Sequence, residues 1–278
     1  MNRIIHLPVI RIIIGIIICL VVPIVIKALV VTPVISLLSL DENMSKSIEG
    51  VFSILIILLT YHYLFKYYEK RKITELAWKY FAKEIGIGFF IGVILISLVI
   101  LILFVMGYYT IFSSNYIFAL FPPFIFLALM SVFEETIFRG IIYRIIEEKY
   151  GTIVALIISA VLFGLIHVIN SDSNVVYILS ATAGGLLLGV LYTLTGRLWL
   201  PISFHLGWNF GQYLYGVNRF NEGFSFVLES KLVGPMILTG GENGIENSVL
   251  SIIFVLIFFL FCAFLINKRK VYKSVSYS

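Results

Sequence analysis

Three short stretches of this chain place proton-moving groups among apolar neighbours. Glu134-Glu135-Thr136-Ile137-Phe138-Arg139 carries two adjacent carboxylates and a guanidinium. Phe163-Gly164-Leu165-Ile166-His167 sets an imidazole one helical turn beyond a phenyl ring, and His205-Leu206-Gly207-Trp208-Asn209 does the same with an imidazole and an amide. On a helix, residues four apart share a face, whereas adjacent residues diverge by about 100°. Glu135 and Arg139 can therefore form an ion pair along one face, leaving Glu134 turned elsewhere without a local cation. A carboxylate in a dry setting is a candidate proton acceptor. Phe163 can buttress His167, and His205 and Asn209 project together.

Plainer readings stand beside these. The first stretch would suit an ion-paired helix end, His167 a satisfied core histidine, and His205 with Asn209 a hydrogen-bond pair between helices. Depth favours the chemical reading, because an ionisable group inside a membrane costs on the order of several kcal/mol unless it meets a partner or water. Glu134 lies 17 residues before Gly151 and His167 lies 16 after it. An antiparallel hairpin turning near Tyr150-Gly151 would bring them to one level, where a carboxylate and an imidazole can activate water. His205 and Asn209 could then donate to a developing oxyanion. His205 is only nine residues past Gly196. That places it too shallow, unless a boundary shifts, the helix tilts or a loop dips inward.

The elements that hold these groups must be membrane spans. Of 278 residues, 60% are hydrophobic and 13% charged, about half the charge of a typical soluble domain. The mean hydropathy is +1.06. Eight apolar segments are expected at 9–38, 47–65, 85–107, 117–146, 152–170, 175–196, 198–217 and 248–267. This is an all-α, polytopic transmembrane helix bundle, since helices satisfy their own backbone in lipid and the continuous runs do not alternate as barrel strands do. Three blocks follow: N-terminal spans over 1–110, a core over 111–217, and an outer connection with the last span over 218–278. The first segment is long, interrupted by Arg11 and Lys27, and reads as a retained span, not a cleaved leader.

Lys66, Lys70, Arg71, Lys72, Lys79 and Lys83, then Arg139, Arg144, Lys149, Arg197, Lys268, Arg269, Lys270 and Lys273 fall on one side with Arg3 if the spans number eight. Lys46, Arg219 and Lys231 fall opposite. Both termini are then expected in the cytoplasm of a multi-pass protein of the cell membrane. Gly88 with Gly92 and Gly185 with Gly189 have the spacing that lets helices approach closely. Cys19 and Cys262 lack partners at ligand spacing and read as small apolar residues. No basic run has the pattern of a nucleic-acid surface, and the polar, Gly-rich 218–247 connection receives no function.

Together the three motifs resemble those of the CPBP intramembrane endopeptidases, also described as CAAX-protease, bacteriocin-processing or Abi proteins. The family pattern, Glu-Glu-x-x-x-Arg, Phe-x-x-x-His and His-x-x-x-Asn, is met by Glu134-Glu135 with Arg139, Phe163 with His167, and His205 with Asn209, over about residues 117–215. The resemblance implies hydrolysis of a peptide bond in a membrane-associated or lipidated, CAAX-like protein or a peptide precursor. In it Glu134 would be the general base, His167 would position the water, and His205 and Asn209 would bind the oxyanion. Glu135, Arg139 and Phe163 would support them. No cofactor is favoured; zinc held by Glu134, His167 and His205 is the other possibility, set against the lack of a close His-x-x-x-His pair. A non-catalytic self-immunity factor or membrane scaffold is the alternative in the same family. A proton-coupled transporter would call for matched broken helices, and Pro122-Pro123 and Pro201 are not such a pair.

Overall fold

The computed structural model describes residues 6–116, 120–167, 175–217, 226–241 and 244–269. Arg3, Arg219, Lys270 and Lys273 of the charge pattern lie outside them. The long helices are α1 (Pro8–Ser36, with a π-helical turn at Lys27–Val31), α2 (Glu42–Tyr68) and α3 (Phe81–Val105). Then come α4 (Phe121–Glu135), a π-helical segment (Thr136–Tyr143), α5 (Arg144–Ile166), α6 (Val175–Thr195), α7 (Trp199–Leu214), the short α8 (Met236–Thr239) and α9 (Val249–Arg269).

Local chemistry explains several starts. The Asp41 side chain caps α2 by accepting from the Met44 amide at 3.0 Å, meeting one of the unpaired donors every helix start exposes. Pro8 opens α1 and Pro122 sits in the first turn of α4, where a missing N–H costs nothing. Large apolar side chains point outward all round the bundle, among them Ile24 at 58%, Phe90 at 65%, Ile153 at 65% and Phe264 at 63% exposure. Such a surface suits a lipid solvent and no other, so this is a multi-pass membrane protein.

Among the described residues six stretches are long and apolar enough to cross a membrane by length and composition. Two features reconcile them with the eight expected segments. The 46-residue run Phe121–Ile166 is interrupted at Gly151, whose φ of 80° and ψ of 169° are not helical. Beyond it the chain folds back: Ser159 Oγ donates to the Phe138 carbonyl at 3.2 Å, and the Phe163 ring meets Phe138 at 5.0 Å. The run is thus a hairpin, turning where glycine alone accepts the backbone easily. The second feature is α7, with 16 residues and so about 24 Å long, short of the roughly 30 Å hydrocarbon core.

One end of α7 is held by the connection between α2 and α3. Leu198 N–H donates to the Glu75 carbonyl at 3.0 Å and Trp199 Nε1–H to the Ala77 carbonyl at 3.3 Å. Glu75, Leu198 and Trp199 are buried. The connection is fixed by ions: Arg11 and Arg144 reach Glu69 at 2.6 and 2.9 Å, and Arg71 reaches Glu75 at 2.7 Å.

The expected bundle lacks one observed feature, a two-stranded antiparallel ribbon. Strand β1 (Tyr109–Ser114) pairs with β2 (Leu228–Leu232), from Tyr109 opposite Leu232 to Ser114 opposite Leu228. It ties the α3–α4 connection to the polar connection after α7.

Helix α7 is seated closely on α3, backbone against backbone at the glycines. A Cβ on Gly92 would lie 2.4 Å from the Phe204 carbonyl, and one on Gly207 would lie 2.2 Å from the Phe89 carbonyl. Gly185 also lies close to α5, where a Cβ would be 3.0 Å from Ala160 Cα. The expected close approaches at the paired glycines are present.

Candidate active site

The hairpin and α7 bring the three motifs to one cavity. Glu134 and Glu135 end α4, His167 caps the C-terminal end of α5, and His205 and Asn209 lie on the middle turns of α7. Glu134, His167, His205 and Asn209 all line a cavity of about 580 Å³, with Phe163, Ser180 and Glu246 also in its wall. Most of the remaining wall is apolar, including Ile16, Leu20, Met130, Ile137, Leu187 and Val255.

The adjacent carboxylates separate as the helical rotation requires. Glu135 turns into the protein, fully buried, and accepts from Arg139 Nη1 at 2.9 Å. Arg139, equally buried, donates from Nη2 to the Gly185 carbonyl at 2.8 Å and lies 4.7 Å over the Phe163 ring. The expected pair is therefore also a clamp onto α6. Glu135 does more than its helix-holding role anticipates, because Oε1 lies 3.1 Å from Nδ1 of His205. An Arg-paired carboxylate accepts, so this ring nitrogen carries the proton.

That bond aims the other nitrogen. His205 Nε2 faces Glu134 Oε2 at 3.9 Å. Glu134 Oε2 is buried and accepts no hydrogen bond from the protein. His167 is fixed by analogous means: its Nδ1 lies 2.7 Å from the Phe163 carbonyl. A carbonyl can only accept, so the proton is on Nδ1, and Nε2 is the nitrogen that carries the lone pair of the neutral ring. Phe163 packs against both imidazoles, with ring centroids 4.8 Å from His167 and 6.1 Å from His205. Tyr177 closes the far side of His167 at 5.8 Å.

Three contributors escape the sequence reading. The π-helical segment directly after Glu135 alters the register between the carboxylates and Arg144; such insertions often occur at functional sites, but nothing in residue periodicity marks this one. Tyr177 looks like any apolar-helix tyrosine. Glu246 belongs to the connection left without a function, and only folding brings it to the cavity. A zinc-holding set is not assembled: among the described residues no three His, Cys, Asp or Glu side chains converge as a metal-binding group. No chemical step is therefore routed through a metal.

Residues 115–211 match the family described as type II CAAX prenyl endopeptidase Rce1-like. Over 78 residues the chain is 38% identical to a protein of Bacillus subtilis (strain 168) named "Putative membrane peptidase YdiL". That similarity spans 28% of this chain and 30% of the relative's length. No solved structure matches significantly. The matched region holds every residue of the three motifs, so the central part of this membrane protein, residues 115–211, is similar to the type II CAAX prenyl endopeptidase Rce1-like family.

Proposed function

We propose that the chain is an intramembrane endopeptidase that hydrolyses peptide bonds of membrane-associated or lipidated, CAAX-like proteins or of peptide precursors, using a water activated by Glu134. The observation that carries this reading is His205 fixed between two carboxylates, with Nδ1 on Glu135 and Nε2 facing Glu134, in a cavity shared with His167 and Asn209.

In the proposed reaction a water donates one hydrogen to Glu134 and the other to the free Nε2 of His167. As its oxygen attacks the scissile carbonyl carbon, Glu134 takes the proton. The carbonyl oxygen becomes an oxyanion, stabilised by the Asn209 amide and by His205 when Nε2 also carries a proton. The C–N bond breaks, the proton passes from Glu134 to the leaving nitrogen, and the carboxylate is restored. No acyl-enzyme forms, so no Ser or Cys nucleophile is needed. Glu135, Arg139 and Phe163 act through the rings they position. Both termini face the cytoplasm in this proposal, because Arg11, Arg71 and Arg144 gather at one end of the bundle.

The test is Glu134→Gln, which keeps shape and removes the base. Cleavage of a quenched apolar peptide by purified protein is expected to fall by about 10²–10⁴-fold, as for loss of a general base, with unchanged membrane insertion and melting. Full cleavage by this variant rejects Glu134 as the base.

A further inference from the structure

The cavity wall holds a second carboxylate that the proposed reaction does not use. Glu246 lies in a 3₁₀ turn, Ile245–Asn247, just before α9. Its Oε1 accepts from Gln212 Nε2 at 2.9 Å, and among the described residues no Lys, Arg or His pairs with it. Gln212 is itself buried, at 2% exposure. His205, Asn209 and Gln212 follow one another up the same side of α7 at steps of four and three residues. Seven residues of helix rise about 10 Å. By the rise along α7 Glu246 therefore sits about that far from His205, in the same continuous space, whose remaining lining is largely apolar.

We propose that Glu246 and Gln212 form a subsite for a positively charged group of the substrate, a Lys or Arg side chain or a free amine. An extended peptide advances about 3.3–3.6 Å per residue, so the cation belongs about three residues from the bond that is cut. A carboxylate fixed on one oxygen by a buried amide presents its second oxygen in a defined direction. Within an apolar cavity it attracts a cation more strongly than it would in water, and it repels an acidic residue at that position. This rests on the peptidase reading of the site, which it deepens into a rule of substrate choice.

The experiment uses the full chain in detergent and quenched apolar decapeptides bearing a single Lys, Gln or Glu at successive positions on either side of the cut. The wild type is expected to prefer Lys over Glu about tenfold or more at a position about three residues from the cut. This corresponds to one charge-assisted contact. Glu246→Gln should reduce that ratio to near one, and Glu246→Lys should invert it. Because the readout is a ratio, partial loss of folded protein does not imitate the effect. Anisotropy of the same peptides, uncut, on Glu134→Gln protein with and without Glu246→Gln reads the subsite without catalysis. Equal use of Lys, Gln and Glu by the wild type, or a Lys preference that survives Glu246→Gln, overturns the subsite while leaving the peptidase reading intact. If the wild type cleaves nothing, and binding shows no Lys preference that depends on Glu246, both fall together.

Discussion

The imidazole of His205 on α7 is oriented by Glu135 on α4, 3.1 Å from Nδ1. This carboxylate is the neighbour in sequence of the one that Nε2 faces. A pair of adjacent acids thus divides into one that aims a ring and one that meets it across the cavity. Removing the first should leave the second in place but misdirect its partner.

Glu135→Gln is accordingly expected to lower kcat by about 10–100-fold, as loss of an orienting partner commonly does, and to change KM little. Steady-state kinetics on one quenched peptide checks this. A fall in kcat/KM caused by KM alone would place Glu135 outside the orientation of His205.

Arg139→Ala should act on stability first. It leaves Glu135 fully buried without its cation and removes the hydrogen bond to the Gly185 carbonyl. Breaking a buried pair on one side costs about 3–5 kcal/mol. A marked drop in melting temperature in detergent is expected, and the double replacement Glu135→Gln with Arg139→Met should recover part of it. No recovery would mean that the uncompensated charge is not the cause.

Gly92→Val tests the seating of α7. Its Cβ would overlap the Phe204 carbonyl at 2.4 Å, and backbone cannot step aside as a side-chain tip can. The variant should lose activity through displacement of His205 and Asn209, whereas Gly86→Ala, where nothing lies within 4 Å, should behave as wild type. Equal activity of both variants would show that the α3–α7 contact does not position the site.

The ionic end of the bundle sets an acid limit. Burial pushes the Glu69 and Glu75 carboxyls up, but Arg144 and Arg11 beside Glu69, and Arg71 beside Glu75, more than offset it and hold both below the usual range. A carboxyl lowered in the fold adds stability that is complete above its unfolded value, about 4.3. It is lost as pH falls through the lower folded value. Melting temperature is expected to hold at neutral pH and to fall below about pH 4.3, with a shallower fall in Glu69→Gln. An identical acid slope in that variant would remove Glu69 from the effect.

Much of this molecule is legible in its residues because membrane helices declare themselves by length and polarity. The turn at Gly151 and the close approaches at Gly92 and Gly185 follow from local rules, and the three motifs that meet at the cavity are visible as polar groups where lipid forbids them. Other features have no local signal. The pairing of Tyr109 with Leu232 joins residues over a hundred positions apart. The π-helical segment Thr136–Tyr143 has the composition of any apolar helix. Buried Glu75 is paired with Arg144 of α5 and Arg71 of its own connection, and Glu246 reaches the cavity from an irregular segment that periodicity cannot place.

The hairpin turning at Gly151 has a consequence for how the protein is made. Glu134 and His167 lie on neighbouring rods that can enter the bilayer as one unit, while His205 and Asn209 emerge from the ribosome only some 40 residues later. Until α7 settles on α3 the nascent chain carries acid and imidazole without their counterparts. In the proposed hydrolase, that order leaves the site incomplete during biogenesis until α7 locks home.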